Sequence, residues 1–198
     1  MADIAEIKRL RELTGVGMTD AKKALDEANG DFDKALAEMR KKGMTKAEKS
    51  GQREARMGVI GSYVHDNRIG VIAEINCETD FVARNEMFTA LVKDITMHIA
   101  AASPEYVSTE NIPEAEREAK RAEFTEKVKR EGKPENMVGQ IAEGMLKKYF
   151  AEKCLLDQPY IKNPDQTVGQ YLKENIAKLG ENIVVRRFSR MAVGEVTE

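Results

Sequence analysis

Two β-branched runs, GVIGSYVH (residues 58–65) and IGVIAEINC (69–77), flank the three-residue turn DNR. Val and Ile at this density favour the pleated backbone, and so short a connection makes the two runs antiparallel neighbours. A β-hairpin over residues 58–77 follows, and a lone hairpin is marginal in water. It needs a third strand and an apolar cover. NIVVRRFSRMAV (182–193) supplies the strand. The cover comes from a helix starting near Asn85, with Phe88, Leu91, Ile95 and Ile99 on one face and an end before Ser103-Pro104. Thr167 is placed to cap another helix, bearing Val168, Tyr171, Leu172 and Ile176 and closed by Gly180. The fold class is α+β, with a three-stranded antiparallel sheet in a core domain spanning residues 57–198.

Residues 1–43 carry a different period. Ile4, Ile7, Leu10 and Leu13 mark one helix that stops at TGVG, and Ala21, Ala24, Leu25 and Ala28 mark a second that ends at Asn29-Gly30. Asp31 caps a third, with Phe32, Ala35, Leu36 and Met39 on its apolar face and Gly43 as its expected stop. This is a compact three-helix module. MTKAEKSGQREAR (44–56) has almost no large apolar side chains and reads as a solvated linker. Arg40, Lys41, Lys42, Lys46, Lys49, Arg53 and Arg56 make that neighbourhood basic.

A third pattern occupies residues 112–153. After Pro113, EAEREAKRAEFTEKVKRE is nearly all charge, with a thin seam of Ala115, Ala119, Ala122 and Phe124. Gly132 and Pro134 break it, and a returning helix carries Val138, Ile141, Met145 and Tyr149. The pair reads as an antiparallel helical hairpin that projects from the core domain, a shape suited to interaction.

Chemistry is scarce. The sequence contains no GxxxxGK[ST], no GxGxxG after a strand, no HExxH and no GxSxG. Cys77 and Cys154 lack any metal-ligand spacing, so reduced thiols are expected and neither a metal nor a cofactor is called for. Lys and Arg total 32 against 34 Asp and Glu, a net charge of −2, which gives no bulk attraction to nucleic acid. No run approaches the ~20 apolar residues that span a bilayer, so no membrane is implied, and the mixed charges of MADIAEIKRLREL are unlike a signal peptide. The expected compartment is the cytoplasm, and the expected partners are proteins. His98 falls at the edge of the Phe88–Ile99 stripe, where a rim imidazole covers apolar surface while reaching a polar partner.

CETDFVARNE (77–86) sets the sharpest question, since acids crowd an apolar pair just after a buried strand. Two readings stand on composition: Asp80 caps a helix while Phe81 enters the core, or the pair is offered to a partner.

Together LRELTGVGMTDAKKALDEANGD, NCETDFVARNE, TVGQYLKE and GENIVVRR, in this order, closely resemble bacterial elongation factor Ts. The resemblance implies a guanine nucleotide exchange factor, not an enzyme, which binds elongation factor Tu in its GDP-bound and nucleotide-free forms and speeds loss of GDP. It implies an N-terminal module of the ubiquitin-associated type. It assigns Thr79, Asp80, Phe81 and Val82 to the element that enters the GTPase near its magnesium and phosphate site. Arg11, Gly15, Val16, Gly17 and Met18 fall in the turn that meets the nucleotide domain, and His98 matches a core histidine that helps on another face of the partner. Thr19 stands where many members have a second Met. The core occurs once here, whereas longer members carry two halves, which implies a homodimer binding two Tu molecules. Two rival functions follow from the basic stretch and the hairpin: a non-catalytic RNA-associated protein, or a scaffold that binds without exchange.

Overall fold

The computed structural model describes residues 3–195, beginning with three helices, α1 (Ile4–Thr14), α2 (Met18–Glu27) and α3 (Phe32–Ser50). Asp3 caps α1 by accepting the Ala5 N–H, and Asp31 caps α3 by accepting from Lys34 N. Ile7, Leu10, Ala21, Ala24, Leu25, Ala28, Ala35 and Met39 form the small shared core. Ile4 and Leu13 remain exposed, so only the middle of the α1 stripe is covered.

The third helix does not stop at Gly43. It continues to Ser50, taking in the first seven residues of the expected linker, and Ala47 and Ser50 are buried. The cause is a close crossing with α8 (Val168–Leu179): a Cβ on Gly43 would lie 3.3 Å from the Ala177 methyl group. Gly43 serves helix approach, not termination. Arg40 pairs with Glu174 of α8, Lys42 with Glu27 and Arg56 with Glu54, so carboxylates lace part of the basic stretch. The side chains of Lys46 and Lys49 lie outside the described residues.

The sheet is formed by β1 (Met57–His65), β2 (Ile69–Cys77) and β5 (Val184–Ala192), antiparallel, in the order β1-β2-β5. Its inner face, with Val59, Tyr63, Val71, Ala73, Ile75, Val185 and Phe188, packs on α5 (Glu86–Ala102) and α8. Phe88, Leu91, Ile95 and Ile99 of α5 are all fully buried, each contributing ~1.5–3 kcal/mol of apolar burial. The outer face presents Ile60, Val64, Ile72 and Met191 to solvent, with Glu74 and Arg187 paired at 2.8 Å across β2 and β5.

Helices α6 (Glu114–Arg130) and α7 (Glu135–Lys153) form the antiparallel hairpin. Its packing differs from the expected seams. Ala115, Ala119 and Ala122 are exposed, and on α7 the buried stripe is Val138, Ala142, Leu146 and Phe150, with Ile141, Met145 and Tyr149 only half-buried beside it. The ring of Tyr149 instead meets Phe124 edge-on at 5.7 Å. One element was not anticipated, a two-stranded ribbon of β3 (Pro159–Tyr160) and β4 (Asn163–Thr167) that returns the chain from the hairpin to α8. Among the described residues no helix is long and apolar enough to cross a membrane.

Candidate functional site

Strand β2 delivers the chain at Cys77 to a bend whose next element is a single helical turn, α4 (Asp80–Ala83). Thr79, not Asp80, caps that turn: its hydroxyl oxygen accepts the Val82 N–H at 3.3 Å. Ala83 is buried and Val82 packs on the main core, which anchors one side of the turn. Phe81 points the other way, 83% exposed. Asp80 is partly exposed and lies 3.5 Å from Arg84. A helix start at Thr79 and an aromatic aimed at solvent therefore coexist, and Phe81 does not enter the core.

Four residues cannot sustain a helix by cooperativity. External ties hold this one. The carboxylate of Glu181, on the turn between α8 and β5, accepts from Glu78 N (3.1 Å), Thr79 N (3.0 Å) and the Thr79 hydroxyl (2.6 Å). In return the Glu78 carboxylate accepts the Asn182 backbone N–H and sits 3.3 Å from Arg53 Nε. Cys77, fully buried, donates its thiol to Thr79 O, and burial pushes that thiol's pKa up. Sequence reasoning assigned no role to Glu181. The only signal was its place in GENIVVRR, between a cap glycine and a buried strand.

The turn of the first module is a second exposed element. Gly15 ends α1 in the left-handed region (φ 69°), donating its N–H to Arg11 O, and a Cβ there would fall 2.7 Å from Lys178 Cγ. Arg11, Gly17 and Met18 are exposed and Val16 is half-buried against the module core. The module thus rests its turn beside the end of α8.

His98 is not at a rim. Its ring is fully buried, with Nδ1 accepting the Ile161 N–H (3.3 Å) and Nε2 facing Gln158 Oε1 (3.0 Å). Gln158 uses its amide nitrogen to donate to Glu152 O (2.7 Å) and Ala102 O (3.4 Å), so its oxygen is left as the acceptor. These contacts fix the neutral Nε2–H tautomer. The misreading arose because the ribbon, invisible as a sequence pattern, covers the open side of α5. Burial holds the imidazole pKa below its usual 6.5. Below pH 6.5 the unfolded chain then binds more protons than the folded one, and stability falls as pH drops through that range. His98→Leu is expected to remove this part of the slope in thermal-melt series from pH 7 to pH 5, while lowering stability throughout by stranding Gln158 and Ile161 N.

One turn earlier on α5, Asp94 accepts from Lys162 Nζ (2.6 Å) and from the hydroxyls of Tyr160 and Tyr171 (both 2.9 Å), whose rings stack at 4.4 Å. Among the described residues, no group of three or more His, Cys, Asp or Glu is placed to hold a metal ion.

Comparison with known proteins gives one answer along the chain. A family model described as Elongation factor TS matches residues 7–195. Among curated relatives, elongation factor Ts of Geobacter sulfurreducens is 50% identical over 195 residues, covering 98% of this chain and 90% of that protein. The Thermoanaerobacter pseudethanolicus protein of the same name is 50% identical over 199 residues, covering 100% and 98%.

Proposed function

The chain belongs to the elongation factor Ts family, and from that premise we propose that it is a guanine nucleotide exchange factor that binds elongation factor Tu and speeds its release of GDP. The observation that carries the reading is Phe81, a large apolar ring left 83% exposed on a bend braced from behind. A GTPase grips GDP through backbone amides, a Lys and a Mg²⁺ that bridges phosphate and protein oxygens. Inserting a ring beside those elements displaces several charge-assisted contacts together. Asp80, partly exposed next to it, brings a carboxylate that competes for groups ordering the metal. Thr79 and Val82 keep the bend in shape.

Arg11, Gly15, Val16, Gly17 and Met18 give the first module its separate contact with the nucleotide domain. His98, being buried, serves the partner surface indirectly, by fixing the ribbon against α5. No covalent step is involved. If nucleotide-free partner binds more tightly than GDP-bound partner by some factor, GDP binds the complex more weakly by the same factor. Such a cycle belongs to translation in the cytoplasm.

Stopped-flow release of fluorescent GDP from elongation factor Tu tests the proposal. Acceleration that saturates with added protein is expected. Unchanged release, with binding intact, would make this a scaffold, and salt-sensitive RNA binding without acceleration would favour the RNA-associated reading.

We further propose a homodimer carrying two Tu molecules. The outer sheet face supports it, because Ile60, Val64, Ile72 and Met191 are exposed together beside a Glu74–Arg187 pair, and a two-fold copy meets that pair with complementary charge. Light scattering at micromolar concentration is expected to return twice the chain mass, and Ile72→Lys to return the single mass. A wild-type monomer would remove the dimer and leave the exchange proposal standing.

A further inference from the structure

The reciprocal tie between residues 78–79 and 181–182 joins segments a hundred residues apart in the chain. One carboxylate, Glu181, takes two consecutive backbone N–H groups and a hydroxyl, and the Glu78 carboxylate takes the Asn182 backbone N–H in return. Both halves are further fastened to the segment that follows α3. Arg53 lies 3.3 Å from Glu78, donates to Gly180 O (3.1 Å), and accepts at its own carbonyl from the Asn182 side chain (2.6 Å). These hydrogen bonds and the ion pair run through residues 53, 78, 79, 180, 181 and 182 and not through Phe81 itself. They fix the two residues before the single helical turn that displays the ring.

On the reading of Phe81 as the displacing group, we propose that Glu181 is a positioning residue for nucleotide exchange, holding the 78–82 bend in the one geometry that presents the ring to the GTPase. Two features favour this over a purely structural tie. First, the bend is not held by its own helix, which is a single turn long, nor by burial of the ring, which is exposed. Second, Glu181 acts on Thr79 at both ends of its function: the carboxylate receives the hydroxyl hydrogen, which leaves the oxygen's lone pairs directed at Val82 N. Loss of the carboxylate therefore frees the cap rotor and the backbone at Glu78 and Thr79 together. The ring then reaches its partner from an ensemble and not from one pose, and the freed residues must be ordered again at the moment of insertion.

The test is GDP release from elongation factor Tu, measured as maximal rate and half-saturating concentration for Glu181→Ala, Glu181→Gln, Phe81→Ala and the Phe81→Ala/Glu181→Ala double variant. Glu181→Ala is expected to lower the maximal rate about tenfold, as loss of bonds to a charged acceptor implies, with little change in half-saturation, since the first module's contact is untouched. Glu181→Gln, which keeps one acceptor oxygen and the side-chain length, is expected to recover most of the rate. In the Phe81→Ala background, Glu181→Ala is expected to add no further loss. Amide hydrogen exchange on the free protein reads the same bend without the GTPase, and faster exchange at Thr79 and Val82 confined to that segment is expected. Glu181→Ala at wild-type rate beside a collapsed Phe81→Ala would overturn the inference alone. Equal further loss in the double variant would show that Glu181 acts independently of the ring and would overturn the inference. Phe81→Ala at wild-type rate would instead remove the reading on which the inference rests.

Discussion

Phe81→Ala is expected to cut the maximal acceleration of GDP release by about 10- to 150-fold. That range is the rate equivalent of the ~1.5–3 kcal/mol gained by fully burying a large apolar side chain. The ring gains it only when the partner opens, so the loss falls on the exchange step. Because Phe81 is 83% exposed in the free chain, the substitution forfeits almost no internal packing. The melting temperature and circular dichroism are expected to match the wild type, as for surface changes generally. Phe81→Leu, which keeps apolar bulk at the same place, is expected to retain much of the activity. Full exchange by Phe81→Ala would show that the bend acts through Asp80 or through backbone alone.

Asp94→Ala tests the middle of α5, where the expected effect is on stability. Three donors converge on this carboxylate: Lys162 on one oxygen, Tyr160 and Tyr171 on the other. Burial favours the neutral acid, but the three hydrogen bonds outweigh it, and the carboxyl is held below its usual 3.8. Truncation leaves two tyrosine hydroxyls without an acceptor in a partly covered site, at a cost of about 3–5 kcal/mol, a large share of a domain's total stability. Lys162→Ala, at an exposed lysine, is expected to cost less than about 1 kcal/mol. The pH signature separates the charge from the packing. A carboxylate with a lowered folded-state pKa stabilises above pH 3.8, and that contribution is lost as pH falls through the folded value, so Asp94→Asn is expected to flatten denaturant-melt stabilities on the acid side of pH 3.8. A wild-type acid limb in that variant would assign the slope to other carboxylates.

Both sites reward the same comparison between chain and fold. The hairpin of β1 and β2, the stripe Phe88–Leu91–Ile95–Ile99 and the caps at Asp31, Thr167 and Gly180 follow from periodicity and turn chemistry over short stretches of chain. Those are local signals, and local physics answers them. The failures share a different cause. Gly43 has the look of a stop but marks where α3 crosses Ala177, and His98 has the look of a rim residue until the ribbon lies over it. On α7 the buried face turned by about one residue because the partner helix supplies Phe124 and Val128 and not its alanines.

Periodicity and turn chemistry specify an α+β chain with a three-helix module in front and a helical hairpin within it, and four strings carry the family. The direction in which Phe81 faces is legible only in the folded chain. The bend beneath that ring is braced by Glu181, 102 residues beyond Thr79, whose carboxylate accepts the Glu78 and Thr79 N–H groups that lead into the four-residue helix. A pattern read along the chain reports which groups need partners. It is the folded chain that brings the partner to them.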